Sequence, residues 1–207
     1  MDGGFMSDAP MVSMVVWCGA KYPPNRLLGM LLSLERQTFK DWECVVQVSK
    51  PAYDLPQVYH FVDTVLPQPT KDKISFYEYP CSNNPHWGYE RCDEAFQLCE
   101  GCYIGRTSDD NWYAPEYFEQ MVAPLDRGAD LVLSDFLCHH RHYDYVRAEP
   151  KVNECDLGCW LARAELVKST PWPGTKFTSD GEYVEAMAAK LPPTRIAHVR
   201  RPLYVHN

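Results

Sequence analysis

The chain contains no run of about eighteen apolar residues, the length a helix needs to cross a bilayer, so no membrane-spanning segment is expected. Residues 1–10, MDGGFMSDAP, lack the basic start and apolar stretch of a secretory signal and read as a loose tail ahead of a single domain over 11–207. Basic charge is scarce. Lys and Arg number 20 against 28 Asp and Glu, a net charge of −8. That deficit argues against a broad nonspecific grip on nucleic acid, which needs clustered cations. A nucleic-acid acceptor is therefore not indicated by charge, although Arg195, Arg200 and Arg201 could form a local basic patch. Internal repeats and low-complexity segments are missing too.

What is present fits a globular protein. The hydrophobic fraction is 45% and aromatics make up 13%. The nine cysteines are scattered and odd in number, and Cys18, Cys44, Cys102 and Cys138 sit in apolar runs. They read as reduced, buried thiols of a cytoplasmic protein. Cys99 with Cys102, and Cys155 with Cys159, have loosely metal-like spacing, with His139, His140 and His142 between the pairs. Cys99 falls at a helix end and Cys102 at a strand start, so their side chains need not converge.

Strands and helices alternate along the chain. Met11 to Trp17 is a β-branched-rich strand, and Leu27, Leu28, Leu31, Leu32 and Leu34 give an apolar helix face after Asn25. Glu43 to Val48 is a second strand. A short strand is expected within Val58 to Leu66, a loop over Pro67 to Lys73, and a strand over Ile74 to Tyr79. A helix over Gly88 to Cys99, a strand over Cys102 to Thr107, a helix over Pro115 to Val122 and a strand over Asp130 to Phe136 follow. Cys155 to Ala162 is short and apolar, Arg163 to Lys168 reads as one or two helical turns, and Asp180 to Lys190 as an Ala-rich helix with an acidic first turn. A strand-like run from Arg195 to Tyr204 comes last. This order predicts an α/β fold with a mostly parallel central sheet flanked by helices.

The strand at Cys102 ends in Asp109 and Asp110, followed by Asn111. Carboxylates at the C-terminal end of a sheet strand sit where open α/β folds bind ligands. Their hard oxygens suit Mg²⁺ or Mn²⁺, which share such ligands with substrate phosphates. The same residues also make good turns and helix N-caps, so the local pattern alone supports both readings.

Four phrases in order carry a resemblance to GT-A fold glycosyltransferases, family 2-like members in particular. They are Gln37 to Glu43 (QTFKDWE), then Gly88 to Asp110 ending in the acidic motif Ser108-Asp109-Asp110-Asn111. Phe177 to Lys190 and the closing Pro202-Leu203-Tyr204-Val205-His206 complete the series. The resemblance covers roughly residues 12–207. It implies a metal-dependent, inverting transfer of a sugar from a nucleotide-diphosphate sugar, a UDP-sugar first, to a hydroxyl acceptor, with Mn²⁺ or Mg²⁺ as cofactor. By the same resemblance Asp110 is the main metal ligand, with Asp109 touching metal or ribose and His206 completing the shell. Asp180 is the candidate base and Glu182 the second. Trp17, Tyr22, Gln47 and Arg91 fall in the donor region.

Three departures matter. Trp17-Cys18-Gly19-Ala20-Lys21-Tyr22 stands where the family carries Pro-Thr-Tyr-Asn. Gln47-Val48-Ser49-Lys50 replaces the acidic pair that holds the nucleotide base. Arg91-Cys92 lies one residue out of register with an Arg-Asn pair. A catalytically silent binding module of the same fold is therefore an alternative. A nucleotidyltransferase is a further one, for which Gly19-Ala20-Lys21 is a poor substitute for a Gly-rich basic loop.

Overall fold

The computed structural model describes residues 10–18, 25–50, 55–80 and 89–207. The run Val12–Cys18 forms β1, buried along nearly its whole length, as its unbroken apolar sequence requires of a strand covered on both faces. Helix α1 (Asn25–Glu35) buries Leu27, Met30, Leu31 and Leu34, the i, i+3, i+4, i+7 stripe. Strand β2 (Trp42–Lys50), helix α2 (Leu55–Val65), the short helix α3 (Gln68–Lys71) and β3 (Ile74–Pro80) follow.

A 3₁₀ turn (Tyr89–Arg91) leads into α4 (Cys92–Gln97), β4 (Tyr103–Ser108), β5 (Trp112–Tyr113) and α5 (Tyr117–Asp126). Beyond it lie β6 (Leu131–Cys138), a 3₁₀ turn (His139–Arg141), β7 (Asp144–Val146) and β8 (Trp160–Arg163). Helices α6 (Ala164–Ser169) and α7 (Ser179–Ala188), a 3₁₀ turn (Pro193–Arg195) and β9 (Ile196–His206) complete the chain.

Among the described residues the strands form one sheet in the order β3-β2-β1-β4-β8-β6-β9-β5, with β7 paired to β6. It is mixed, which corrects the expectation of a mostly parallel sheet. β3, β2, β1 and β4 run parallel, as does the β6–β9 pair. β8 is antiparallel to both β4 and β6, and β5–β9 and β6–β7 are antiparallel as well. Parallel pairing needs a crossover, usually a helix. Helices stand between the strands as far as β4. The reversal comes at the turn over residues 139–143, which folds β7 back along one edge of β6, and β8 keeps the sense of β7 along the other edge.

The short strand expected within Val58 to Leu66 is helix α2. Val58 and Val62 within it and Leu66 just beyond it are buried at every fourth position, close to the helical period. Part of the loop expected over Pro67 to Lys73 is α3, with a proline in its first turn. The helix expected from Pro115 starts two residues later, because the Pro115 carbonyl accepts the Thr38 amide at 2.7 Å. Gln37 explains this join. Fully buried, it donates from Nε2 to the Ser33 and Ala114 carbonyls (3.1 and 2.8 Å), and its Oε1 accepts the Phe118 amide at 2.9 Å. One side chain thereby ties the end of α1 to the start of α5. Among the described residues no helix is long and apolar enough to cross a membrane.

Candidate active site

The C-terminal ends of β1, β4 and β6 open onto a cleft of about 480 Å³, closed by the start of α7 and the end of β9. Strand β4 keeps its pairing to β1 as far as the Asp109 amide, which donates to the Trp17 carbonyl at 2.9 Å. Side chains on either side of this point alternate in direction. Asp109 turns inward and is fully buried, where its charge, after burial itself, raises the pKa of the Cys18 thiol. Asp110 turns to the cleft and is 7% exposed. Its Oδ1 accepts the Ser108 hydroxyl at 2.6 Å and its Oδ2 faces Arg26 Nη1 of α1 at 3.2 Å. Asn111 locks the turn from below, donating to Ser108 Oγ and Thr107 Oγ1 (2.8 and 3.1 Å), while its Oδ1 accepts the Asn207 amide at 3.0 Å. That last bond brings the end of β9 beside the acidic turn.

Strand β9 delivers His206 into the cleft, where its Nδ1 meets Asp156 Oδ2 at 2.9 Å. The other oxygen of Asp156 accepts the Tyr204 hydroxyl at 2.5 Å and the Gly158 amide at 3.1 Å. Asp180, at the first turn of α7, lines the same cleft. Burial and then the Asp156 charge lift its carboxyl to about 7, only partly offset by the Gly181 amide and His206. The pKa of Asp156 moves the other way. Burial would raise it, but the His206 ring and the donated hydrogen bonds hold it below its ordinary value. The pKa of His206 is raised: burial opposes its charge, and the three carboxylates, Asp156 foremost, outweigh that. Two carboxyls with opposed shifts in one cleft are the usual arrangement for divided acid–base roles.

Four of the residues picked out from sequence, Trp17, Asp110, Asp180 and His206, share this cleft. Others do not line it. Gln47 is buried in the sheet beneath, with its Oε1 accepting from Arg106 Nη1 at 2.9 Å. The Arg106 guanidinium lies 5.5 Å from the Trp172 ring and 5.9 Å from Phe96. Gln47 is thus part of a core polar contact, in the position where the family's base-holding acids would stand. Arg91 pairs on the surface with Glu94. Glu182 accepts the Thr178 hydroxyl at 2.8 Å at the opening of α7 and does not face the cleft. Asp109 is inside the sheet. Tyr22 lies outside the described residues, as does the 1–9 portion of the expected tail.

Sequence reading missed Asp156. It lies within the short apolar phrase Cys155-Asp156-Leu157-Gly158, where a lone carboxylate stands out. Gly158 beside it was a second signal: a Cβ there would come within 2.4 Å of the Tyr204 ring and 2.8 Å of the Tyr113 hydroxyl. Phe177, 73% exposed, stands at the rim, and the ring of His140, read from sequence only beside the loosely metal-like cysteine pairs, stands 5.2 Å from that of His206.

Among the described residues no group of three or more His, Cys, Asp or Glu is arranged around a point a metal ion could fill. A smaller donor set is nonetheless suitable. Mg²⁺ and Mn²⁺ sites serving phosphates often use one or two carboxylates, with the remaining positions taken by water and phosphate oxygens. Asp110 supplies the hard oxygen. With Nδ1 of His206 turned onto Asp156, Nε2 is the ring nitrogen left for the cleft, the carboxylate–histidine pairing common behind metal sites. The residues fit such an ion in combination with a diphosphate.

No protein-family profile and no curated protein sequence matches the chain. Solved structures do. Residues 1–349 of TarS from S. aureus in complex with UDP-GlcNAc superpose with a TM-score of 0.71 at 16% identity, over 94% of this chain and 58% of that one. A longer S. aureus TarS structure gives 0.70 at 14%, over 95% of this chain and 36% of its own length. The mannosyltransferase PcManGT from Pyrobaculum calidifontis, in complex with GDP-Man and Mn²⁺, gives 0.64 at 15%, over 94% and 58%. The chain therefore spans between about a third and three fifths of the structures it resembles. At such identities the likeness speaks for architecture, and the architecture is the GT-A glycosyltransferase fold.

Proposed function

We propose that the cleft binds a nucleoside-diphosphate sugar, a UDP-sugar first, and transfers its sugar to a hydroxyl acceptor with inversion. The observation that carries this reading is Asp180. It faces the same cleft as Asp110 and His206 and is held at about 7, where it can take a proton near neutral pH. The acceptor hydroxyl loses its proton to the Asp180 carboxylate as its oxygen attacks the anomeric carbon. The bond from that carbon to the diphosphate oxygen breaks on the opposite face, and the electron pair leaves with the diphosphate. Asp110 and His206 stand at the phosphate end, and Trp17 offers an indole face to the nucleoside. Bound there, Mn²⁺ or Mg²⁺ would neutralise the charge growing on the leaving phosphates. The solved structures bound to UDP-GlcNAc, UDP and GDP-Man support this choice of donor class. The eight free cysteines among the described residues support a reducing, cytoplasmic setting.

One observation favours a second reading, a binding module without turnover: the buried Gln47, its Oε1 on Arg106, stands where the resemblance expects the acids of the donor site. Incubation with UDP-GlcNAc, UDP-glucose or GDP-mannose and Mn²⁺, with release of free nucleotide measured, separates the readings. Slow donor hydrolysis that vanishes in Asp180→Asn and persists in Glu182→Gln is expected. Tight UDP binding with no release from any donor would replace the transferase with the binding module. Pyrophosphate release from a nucleoside triphosphate and a sugar phosphate would make it a nucleotidyltransferase.

A further inference from the structure

We propose that Asp156 is a positioning residue for the diphosphate end of the cleft: it holds the His206 ring with Nδ1–H toward itself, so that Nε2 is presented to the ligand. This rests on the reading of Asp110 and His206 as that end.

The geometry is that of a built support. Asp156 receives three hydrogen bonds from three directions. Nδ1 of His206 lies 2.9 Å from Oδ2, and Oδ1 takes the Tyr204 hydroxyl at 2.5 Å and the Gly158 amide at 3.1 Å. A carboxylate is an acceptor only, so the neutral imidazole facing it must carry its proton on Nδ1. The turn beneath is fixed in its own right. The Gly158 carbonyl accepts from the Tyr113 and Tyr117 hydroxyls at 3.0 and 3.1 Å, and both tyrosines are buried. Tyr204 and His206 are two positions apart on β9, so both project from the same face of that strand, and Asp156 bridges them. The Tyr204 hydroxyl is 3.3 Å from His206 Nδ1, near enough to compete for the ring nitrogen if Asp156 were lost. Asp156 thus decides which of two available partners sets the tautomer. A carboxylate behind a histidine both orients the ring and raises the basicity of its far nitrogen, and removing one typically weakens metal binding about 10–100-fold.

The test begins with the chain free of metal and nucleotide. Long-range ¹H–¹⁵N correlation at pH 9, with His206 assigned through His206→Gln, reads the tautomer directly. The wild type is expected to be protonated at Nδ1 alone, and Asp156→Ala to shift toward protonation at Nε2. Tyr204→Phe leaves the Asp156–His206 contact in place and should keep the wild-type tautomer. Mn²⁺ binding in the presence of UDP, followed by electron paramagnetic resonance, should weaken about 10–100-fold in Asp156→Ala and much less in Asp156→Glu. A wild-type ring protonated at Nε2 overturns the assignment with no variant needed, so misfolding of Asp156→Ala cannot shelter it. An unchanged tautomer and unchanged Mn²⁺ affinity in a folded Asp156→Ala overturn it equally. A wild type that moves no sugar yet shows the Nδ1–H tautomer, and its loss in Asp156→Ala, supports the positioning role while sinking the transferase reading.

Discussion

Replacing Asp180 by Asn should make the protein more stable and catalytically silent at once. The carboxyl titrates near 7 in the fold against 3.8 for an ordinary aspartate, because burial and the neighbouring Asp156 charge disfavour its ionised form. Below pH 3.8 both folded and unfolded chains hold the proton, and the site costs nothing. Between the two values the unfolded chain ionises while the folded one does not, so stability falls by about 1.4 kcal/mol per pH unit. Above pH 7 the penalty is complete, at about 4 kcal/mol. An amide at this position keeps the shape and carries no such charge. Asp180→Asn should therefore exceed the wild type by up to about 4 kcal/mol at pH 8, by about 2 kcal/mol near pH 5.5 and by almost nothing at pH 3. With a urea m-value of about 2 kcal/mol/M, the midpoint at pH 8 moves up by roughly 2 M. Equilibrium urea unfolding at the three pH values reads this directly. Equal midpoints at pH 8, or a gain that does not shrink toward acid, would refute the electrostatic account of the site. In the wild type, the rate of any transfer should rise with pH through about 7 as the base ionises.

Three further expectations follow from other parts of the molecule. Asp110→Asn should weaken UDP binding in Mn²⁺ by at least about tenfold while leaving metal-free binding nearly unchanged, measured by calorimetry with and without EDTA; equal losses in both would remove the metal from Asp110. Gly158→Ala should lower the melting temperature, because its methyl would overlap the Tyr204 ring; overpacking of this kind costs about 1–3 kcal/mol, and a calorimetric transition at the wild-type temperature would show that the turn can yield. Arg200→Met should destabilise by about 3 kcal/mol in urea unfolding, since it leaves the fully buried Asp135 carboxylate without the guanidinium that lies 3.1 Å from it; a loss below about 1 kcal/mol would mean that the Ala148 amide and the Tyr145 hydroxyl suffice.

The parts of the fold legible in the sequence are the unbroken apolar runs of strands buried on both faces and the one-sided apolar stripe of α1. β1, α1 and β2 fall where their apolar residues place them, and β4 runs into the acidic turn as read. Helix α2 escaped because exposed apolar Tyr59 and Val65 adjoin buried Val58 and Leu66 and blur the four-residue period over so short a window. The reversed sense of β8 escaped because nothing local to it encodes strand direction; it is set earlier, at the turn between β6 and β7, whose sense β8 keeps. Within the cleft, Asp110, Asp180 and His206 were visible through their place in ordered phrases. Asp156 was invisible for a physical reason. Its importance comes from Tyr204 and His206, nearly 50 residues away, and no spacing rule reaches that far.

The mixed sheet has a kinetic consequence. In its parallel half, β3, β2 and β1 come from consecutive β-α-β units, but β4 closes on β1 across 91 residues, Val12 opposite Tyr103. The other half waits on β9, whose bond from Asn207 to Asn111 spans 96 residues. The cleft needs both of these long closures, one at the end of β4 and one at the end of β9, so it is expected to form late on the folding path. A ligand touching both Asp110 and His206 consequently finds nothing to hold in the transition state. It should leave the refolding rate untouched and act wholly by slowing unfolding, so that a loaded chain outlasts proteases it could not outrun while empty.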